Sequence, residues 1–157
     1  MAYSESFLHE AVRLAEEKME AGEGGPFAAV IVKDGKIVGC GWNRVTSVND
    51  PTAHAEIMAI REACKKLGGF SLKGCEIYTS CEPCPMCLAA IYWACLDALY
   101  FAADREDAAK AGFDDALLYG EIQKDWKHRS LKTEQHLSNK AQAVFKTWKN
   151  KSDRIEY

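Results

Sequence analysis

The chain lacks an uninterrupted apolar run. Its longest, residues 87–103, is broken by Asp97 and carries Tyr92, Trp93, Tyr100 and Phe101, which predicts a buried helix followed by a buried strand rather than a membrane span. The opening MAYSESFLHE has neither the positive start nor the apolar stretch of a secretory signal, and cysteine occurs an odd number of times, seven. Reduced thiols and a cytoplasmic setting are therefore expected. No internal repeat, low-complexity tract or linker-like stretch divides the 157 residues. A single domain of this size buries roughly 68 to 70% of its unfolded surface and needs no disulfide or partner merely to fold. No large excess of one charge exists either, the formal net charge being −3, but its distribution is uneven. Residues 121–157 hold nine Lys or Arg against five acidic residues, net +4, leaving −7 for residues 1–120. The acidic remainder and a sequence pI near 5.8 argue against a long phosphate track, and the basic segment reads as a solvated helix face.

Hydrophobic periodicity supplies most of the elements. Phe7, Leu8, Ala11, Val12, Leu14, Ala15 and Met19 recur at helical spacing, which predicts an amphipathic helix over 4–21 that stops before Gly22. FAAVIVK and KIVGCGWN flank Asp34-Gly35, the pairing preferred by a tight type I′ hairpin. Thr52 is expected to cap a helix from about residue 53 to 67 that ends at Gly68-Gly69. Residues 75–80 read as a strand, 84–95 as a helix, 98–103 as a strand and 104–111 as helical. Past Gly112 a loop and a short helix are expected, 129–135 as a fifth strand or a loop, and 139–150 as a helix with Ala143, Val144, Phe145 and Trp148 apolar. Strands alternating with helices imply an α/β fold with three layers.

CEPCPMC, residues 81–87, is the stretch with the most specific chemistry. Cys84 and Cys87 stand three residues apart behind Pro83, so a helix beginning there turns both thiols to one face, and its N-terminus favours thiolates. Two such sulfurs make half a metal site. DPTAHAE, residues 50–56, can supply the rest, His54 as a nitrogen ligand and Glu56 as a carboxylate at the metal-bound water, provided that this water lies toward the helix N-terminus. Three protein ligands leave the fourth tetrahedral position of zinc open, as catalytic sites do. Cys81 repeats the spacing, so a closed Cys₃His structural site competes. Pro83 biases Glu82 to an extended conformation, which takes Cys81 out of helical register with Cys84. Position near a helix N-terminus is expected to keep His54 neutral. Cys40, Cys64, Cys75 and Cys95 default to small buried hydrophobes.

His54-Ala55-Glu56 and Pro83-Cys84-Pro85-Met86-Cys87 together form the H-x-E and P-C-x-x-C signature of zinc nucleobase deaminases, and on these residues the chain resembles the cytidine-deaminase-like family. GGPFAAVIVKDG, NDPTAHAE, YTSCEPCPMCLAAIYWA, AGFDD and the terminal tyrosine resemble, over residues 1–157, the small bacterial guanine deaminases within it. The resemblance implies a three-layer α/β/α fold with a mixed five-stranded sheet, and one zinc per chain with a bound water. It implies hydrolysis of guanine to xanthine and ammonia with Glu56 moving the proton, and a homodimer that exchanges residues 121–157. It also implies a pocket in which Phe27 and Trp93 enclose the purine, Asn43 and the Ala55 backbone bond its polar edge, Asp115 meets its 2-amino side and Tyr157 closes over it. Taken without the resemblance, Phe27 and Trp93 read equally as core, and Asn43 and Asp115 as turn or cap residues. Ala28 and Ala89 stand where relatives commonly have glycine, and Cys95 where they commonly have arginine. Guanosine deamination is the alternative activity, followed by cytosine or tRNA-adenosine deamination; outside enzymes, a zinc-stabilised binding module would leave Glu56 without a role.

Overall fold

The structure, a computed structural model, describes residues 3–156. It divides into two compact units, Met1–Asp115 and Ala116–Tyr157.

In the first unit, α1 (Glu5–Glu20) buries Ala11, Leu14 and Ala15, the stripe that the periodicity anticipates. β1 (Ala28–Lys33) and β2 (Lys36–Trp42) form the expected hairpin. Asp34 and Gly35 take φ 49° and 72°, the two positive values that a type I′ turn needs. A single helical turn, α2 (Val45–Val48), comes next, too short for periodicity to mark. α3 (Ala55–Leu67) starts later than expected and is capped by His54, while Gly68 ends it at φ 70°. Thr52 does not cap it, because it stands two residues before the N-cap residue His54, in a turn where its N–H and hydroxyl donate to the Asp50 carboxylate at 2.8 and 2.7 Å. β3 (Cys75–Cys81), α4 (Pro85–Trp93), β4 (Ala98–Ala103) and α5 (Arg105–Lys110) complete the unit. Asp104 closes a capping box with Asp107 at the start of α5.

The sheet runs β2-β1-β3-β4, with β1 antiparallel to both neighbours and β4 parallel to β3. Among the described residues it has four strands, not the expected five. Residues 129–135 are a fully exposed loop, since Leu131 is their one apolar side chain and a strand needs a face to bury. Alternation along β1 sorts the core into layers. Ala29 and Ile31 join Ala55, Ala59, Ala63, Leu72, Ile77 and Ile91 on the α3–α4 face, while Val30 and Val32 join Ala11 and Tyr78 on the α1 face. Both faces are covered, as in a three-layer α/β/α fold.

α3 lies tightly against β2. α3 presents Ala55, Ala59 and Ala63, all buried, and β2 meets them with Gly39 and Gly41. A Cβ on Gly41 would lie 2.1 Å from the Ala55 carbonyl oxygen and 2.3 Å from the Ala59 nitrogen. Absence of a side chain there lets the helix lie directly on the strand.

In the second unit, α6 (Ala116–Gln123), a 3₁₀ turn at Trp126–His128 and α7 (Ser138–Asn150) are helical. Val144, Phe145 and Trp148, the apolar residues of α7, are 67%, 73% and 43% exposed. Among the described residues no helix is long and apolar enough to cross a membrane.

Candidate metal centre and active site

Both β2 and β3 run opposite to β1, so their C-terminal ends lie at one edge of the sheet, where β1 begins and where β4, parallel to β3, also ends. Trp42 lies level with Ala28, and Ala29 with Thr79. Four chain segments therefore leave or enter the sheet at this edge: Phe27 before β1, Asn43 to His54 after β2, Glu82 to Cys87 after β3, and Asp104 to Asp115 after β4. Sites of open α/β sheets form at such carboxyl ends.

Two helix N-termini meet there. His54 is the N-cap of α3 and Cys84 the N-cap of α4, with Pro85 in the first helical turn. His54 Nδ1 lies 3.6 Å from Cys84 Sγ and 3.5 Å from Cys87 Sγ, and the three ligand atoms all fall within 4.8 Å of one another. A tetrahedral zinc with bonds of about 2.3 Å to sulfur and about 2.0 to 2.1 Å to nitrogen has N···S edges of roughly 3.6 Å. The donor set and its spacing thus fit zinc, with Nδ1 as the imidazole ligand. Cys81 stands apart, its thiol donating toward the Asp104 carbonyl at 3.6 Å, and burial holds its pKa up at about 11.

The electrostatics suit a cation. Bonding to the Cys87 thiol, to His54 and to the helix N–H lowers Cys84 to about 4, whereas the Cys84 thiolate and burial push Cys87 far upward. Between them the two sulfurs share one proton, which a divalent cation would displace. The bond to the Cys84 thiolate raises the pKa of His54, against the lowering effect of its burial. Glu56, in the first turn of α3, is 8% exposed. Burial lifts its carboxyl above the usual range, while its own backbone N–H, the Cys87 thiol and His54 pull the other way. A buried carboxyl beside a metal cluster can hold and return a proton.

Around this centre the remaining residues are placed unevenly. Ala55 is buried in the first turn of α3. Asn43 Oδ1 accepts from the N–H groups of Gly25 at 3.4 Å and Val45 at 3.2 Å, which leaves its NH₂ end as a donor. Asp115 is half-buried; burial first, and then the nearby Cys84 thiolate, push its carboxyl up. Phe27, half-buried at the mouth of β1, packs edge-to-face with Phe113 at 4.8 Å and 87°. Sequence reasoning missed Phe113, although it sits in the AGFDD stretch two positions before Asp115. Trp93 ends α4 and is 71% exposed. Nine residues from Cys84 along a helix amount to roughly 13 Å, so within one chain Trp93 is not beside the cluster. Tyr157 lies outside the described residues. Cys95, expected to be buried, is exposed at φ 56° in the turn after α4.

One histidine, two cysteines and a buried glutamate at converging helix N-termini define a zinc-dependent hydrolytic deaminase. Residues 1–103 match the cytidine and deoxycytidylate deaminase zinc-binding region, and the chain belongs to that family. It is 54% identical over 153 residues to the guanine deaminase of Bacillus subtilis (strain 168), covering 98% of each chain. The X-ray structure of guanine deaminase from Bacillus subtilis superposes with a TM-score of 0.96 at 52% identity, covering 99% of each chain. The tRNA-specific adenosine deaminase of Aquifex aeolicus is 44% identical over 99 residues, 63% of this chain and 65% of that one.

Proposed function

We propose that this protein is a guanine deaminase, converting guanine and water to xanthine and ammonia in purine catabolism or salvage. The observation that carries the reading is the extent of likeness: similarity to a guanine deaminase runs through both units, 98% of the chain, whereas that to the Aquifex tRNA-specific enzyme covers 63%.

His54, Cys84 and Cys87 hold the zinc, which when bound supplies Lewis acidity and a water acidified to near neutral pH. Glu56 takes one proton of the attacking water and delivers it to ring N3, where xanthine keeps it, and then moves the second proton from the oxygen now on C2 to the departing amine, so that ammonia leaves as the C2 carbonyl forms. Its burial beside Cys87 and His54 supports this role, because a raised pKa makes the carboxylate a better base toward the water and leaves the carboxylic acid strong enough to pass the proton on. Asp115 faces the adjacent N1–H and 2-amino donors of guanine, a match that neither adenine nor cytosine offers. The Asn43 NH₂ end and the Ala55 backbone bond the purine's polar edge, and Phe27 and Trp93 enclose its plane.

The remote and exposed Trp93 fits a pocket completed by a second copy. We infer a homodimer in which the 121–157 part of the single domain is exchanged and Tyr157 closes the site. The exposed apolar residues Leu117, Ile122, Val144 and Phe145 support that inference, since large apolar side chains gain from being covered. Seven cysteines free of disulfides suit a reducing, cytoplasmic setting.

Ammonia release from guanine, guanosine, cytosine and adenine by the zinc-loaded protein tests the reading. Guanine is expected to be turned over fastest, and Glu56→Gln is expected to keep zinc and fold while losing on the order of 10²- to 10⁴-fold in kcat. Faster turnover of guanosine would reject guanine as the substrate, and near-wild-type turnover by Glu56→Gln would remove Glu56 from the proton transfer.

A further inference from the structure

The segment between α2 and α3 has to deliver His54 with its ring nitrogen within 3.6 Å of two sulfurs that belong to another helix. The bonds that shape it converge on Asp50. Its Oδ1 accepts from the Thr52 N–H at 2.8 Å and from the Thr52 hydroxyl at 2.7 Å. Its carbonyl accepts from the Ala53 N–H at 3.1 Å, and its own N–H donates to the Val45 carbonyl at 3.2 Å. The turn then passes directly to the ligand, as the His54 N–H donates to the Thr52 carbonyl at 2.8 Å, while the Ala53 carbonyl accepts from the Arg44 N–H at 2.9 Å. Asp50 Oδ2 lies 3.8 Å from Arg61 Nη1 on α3, a longer contact.

We propose that Asp50 is a positioning residue for the metal centre: its carboxylate clamps Thr52 and so sets the backbone that presents His54 Nδ1 to zinc. The inference rests on His54, Cys84 and Cys87 being the zinc ligands. The clamp requires an acceptor at Oδ1, not a negative charge, so an amide in its place preserves it. Groups that orient a metal ligand typically change metal affinity by about 10- to 100-fold when removed, because an unclamped loop must be ordered at the moment of binding.

The test is zinc affinity measured by competition with a chromogenic chelator, on the full-length protein, together with the melting temperature of each metal-free variant. Asp50→Ala is expected to weaken zinc about 10- to 100-fold, and Asp50→Asn to stay within about threefold of wild type. Arg61→Ala, which leaves the turn intact, is expected to bind as wild type does, and the metal-free melting temperatures are expected to coincide. Thr52→Val removes the hydroxyl half of the clamp and is expected to weaken zinc about threefold; it carries the test if Asp50→Ala does not fold. Undiminished zinc affinity in Asp50→Ala or, failing its folding, in Thr52→Val overturns the proposal. Equal weakening by Asp50→Asn overturns it too, since charge would then be the cause, as does a lower metal-free melting temperature with unchanged affinity. A wild-type protein that binds no zinc would instead reject the ligand assignment itself.

Discussion

Replacing Gly41 by alanine should damage the active site without touching a residue in it. The new Cβ would sit 2.1 Å from the Ala55 oxygen, 2.3 Å from the Ala59 nitrogen and 3.0 Å from the Ala59 Cα, where ordinary contact needs 3.4 to 4 Å. All three are backbone atoms of α3, so no side-chain rotation relieves the clash, and the helix has to retreat by about 1 Å or more. Overpacking of this kind costs about 1 to 3 kcal/mol. For a chain of this length that corresponds to a fall in melting temperature of roughly 2 to 12 °C. Ala55 lies between His54 and Glu56, so both move with the helix start, and a misplacement of about 1 Å can cost about 10²-fold in rate. Thermal unfolding and kcat/KM for guanine measure the two effects, with Gly69→Ala as the control, because nothing lies within 4 Å of a Cβ there. If Gly41→Ala melts and turns over like wild type, the close packing of α3 on β2 does not set the geometry of the site.

Zinc content should stay near one per chain in Cys81→Ser, whose thiol is turned to Asp104, and fall in Cys84→Ser and Cys87→Ser; equal loss in all three, by elemental analysis, would support a closed structural site instead. Truncation after Glu156 should lower guanine turnover while leaving zinc and the melting temperature unchanged if Tyr157 closes the pocket, and unchanged kcat and KM would show the tail to be dispensable.

Local chemistry was legible in the residue order. The period-3.6 stripe of α1, the Asp34-Gly35 turn, the Asp104 start of α5 and the Gly68 stop of α3 depend on near neighbours, so spacing and residue type sufficed for them. The same holds for half of the metal site, because Cys84 and Cys87 share a helical turn whatever surrounds it. Thr52 failed as a cap because the helix begins two residues further on, behind His54, an offset that residue type alone does not reveal. Loop 129–135 was ambiguous because strand propensity means little without a face to bury.

Tertiary structure decided what lies far apart in sequence. His54 and Cys84 are thirty residues apart and meet because β2 and β3 both run against β1 and release their helices at one edge. Pairing of Phe113 with Phe27 likewise depends on where β4 and α5 are set down. Spacing along a chain fixes angles within one element, whereas the site is made between elements. Its dimensions come from strand direction and from two glycines, Gly39 and Gly41, whose missing side chains let α3 reach the sheet.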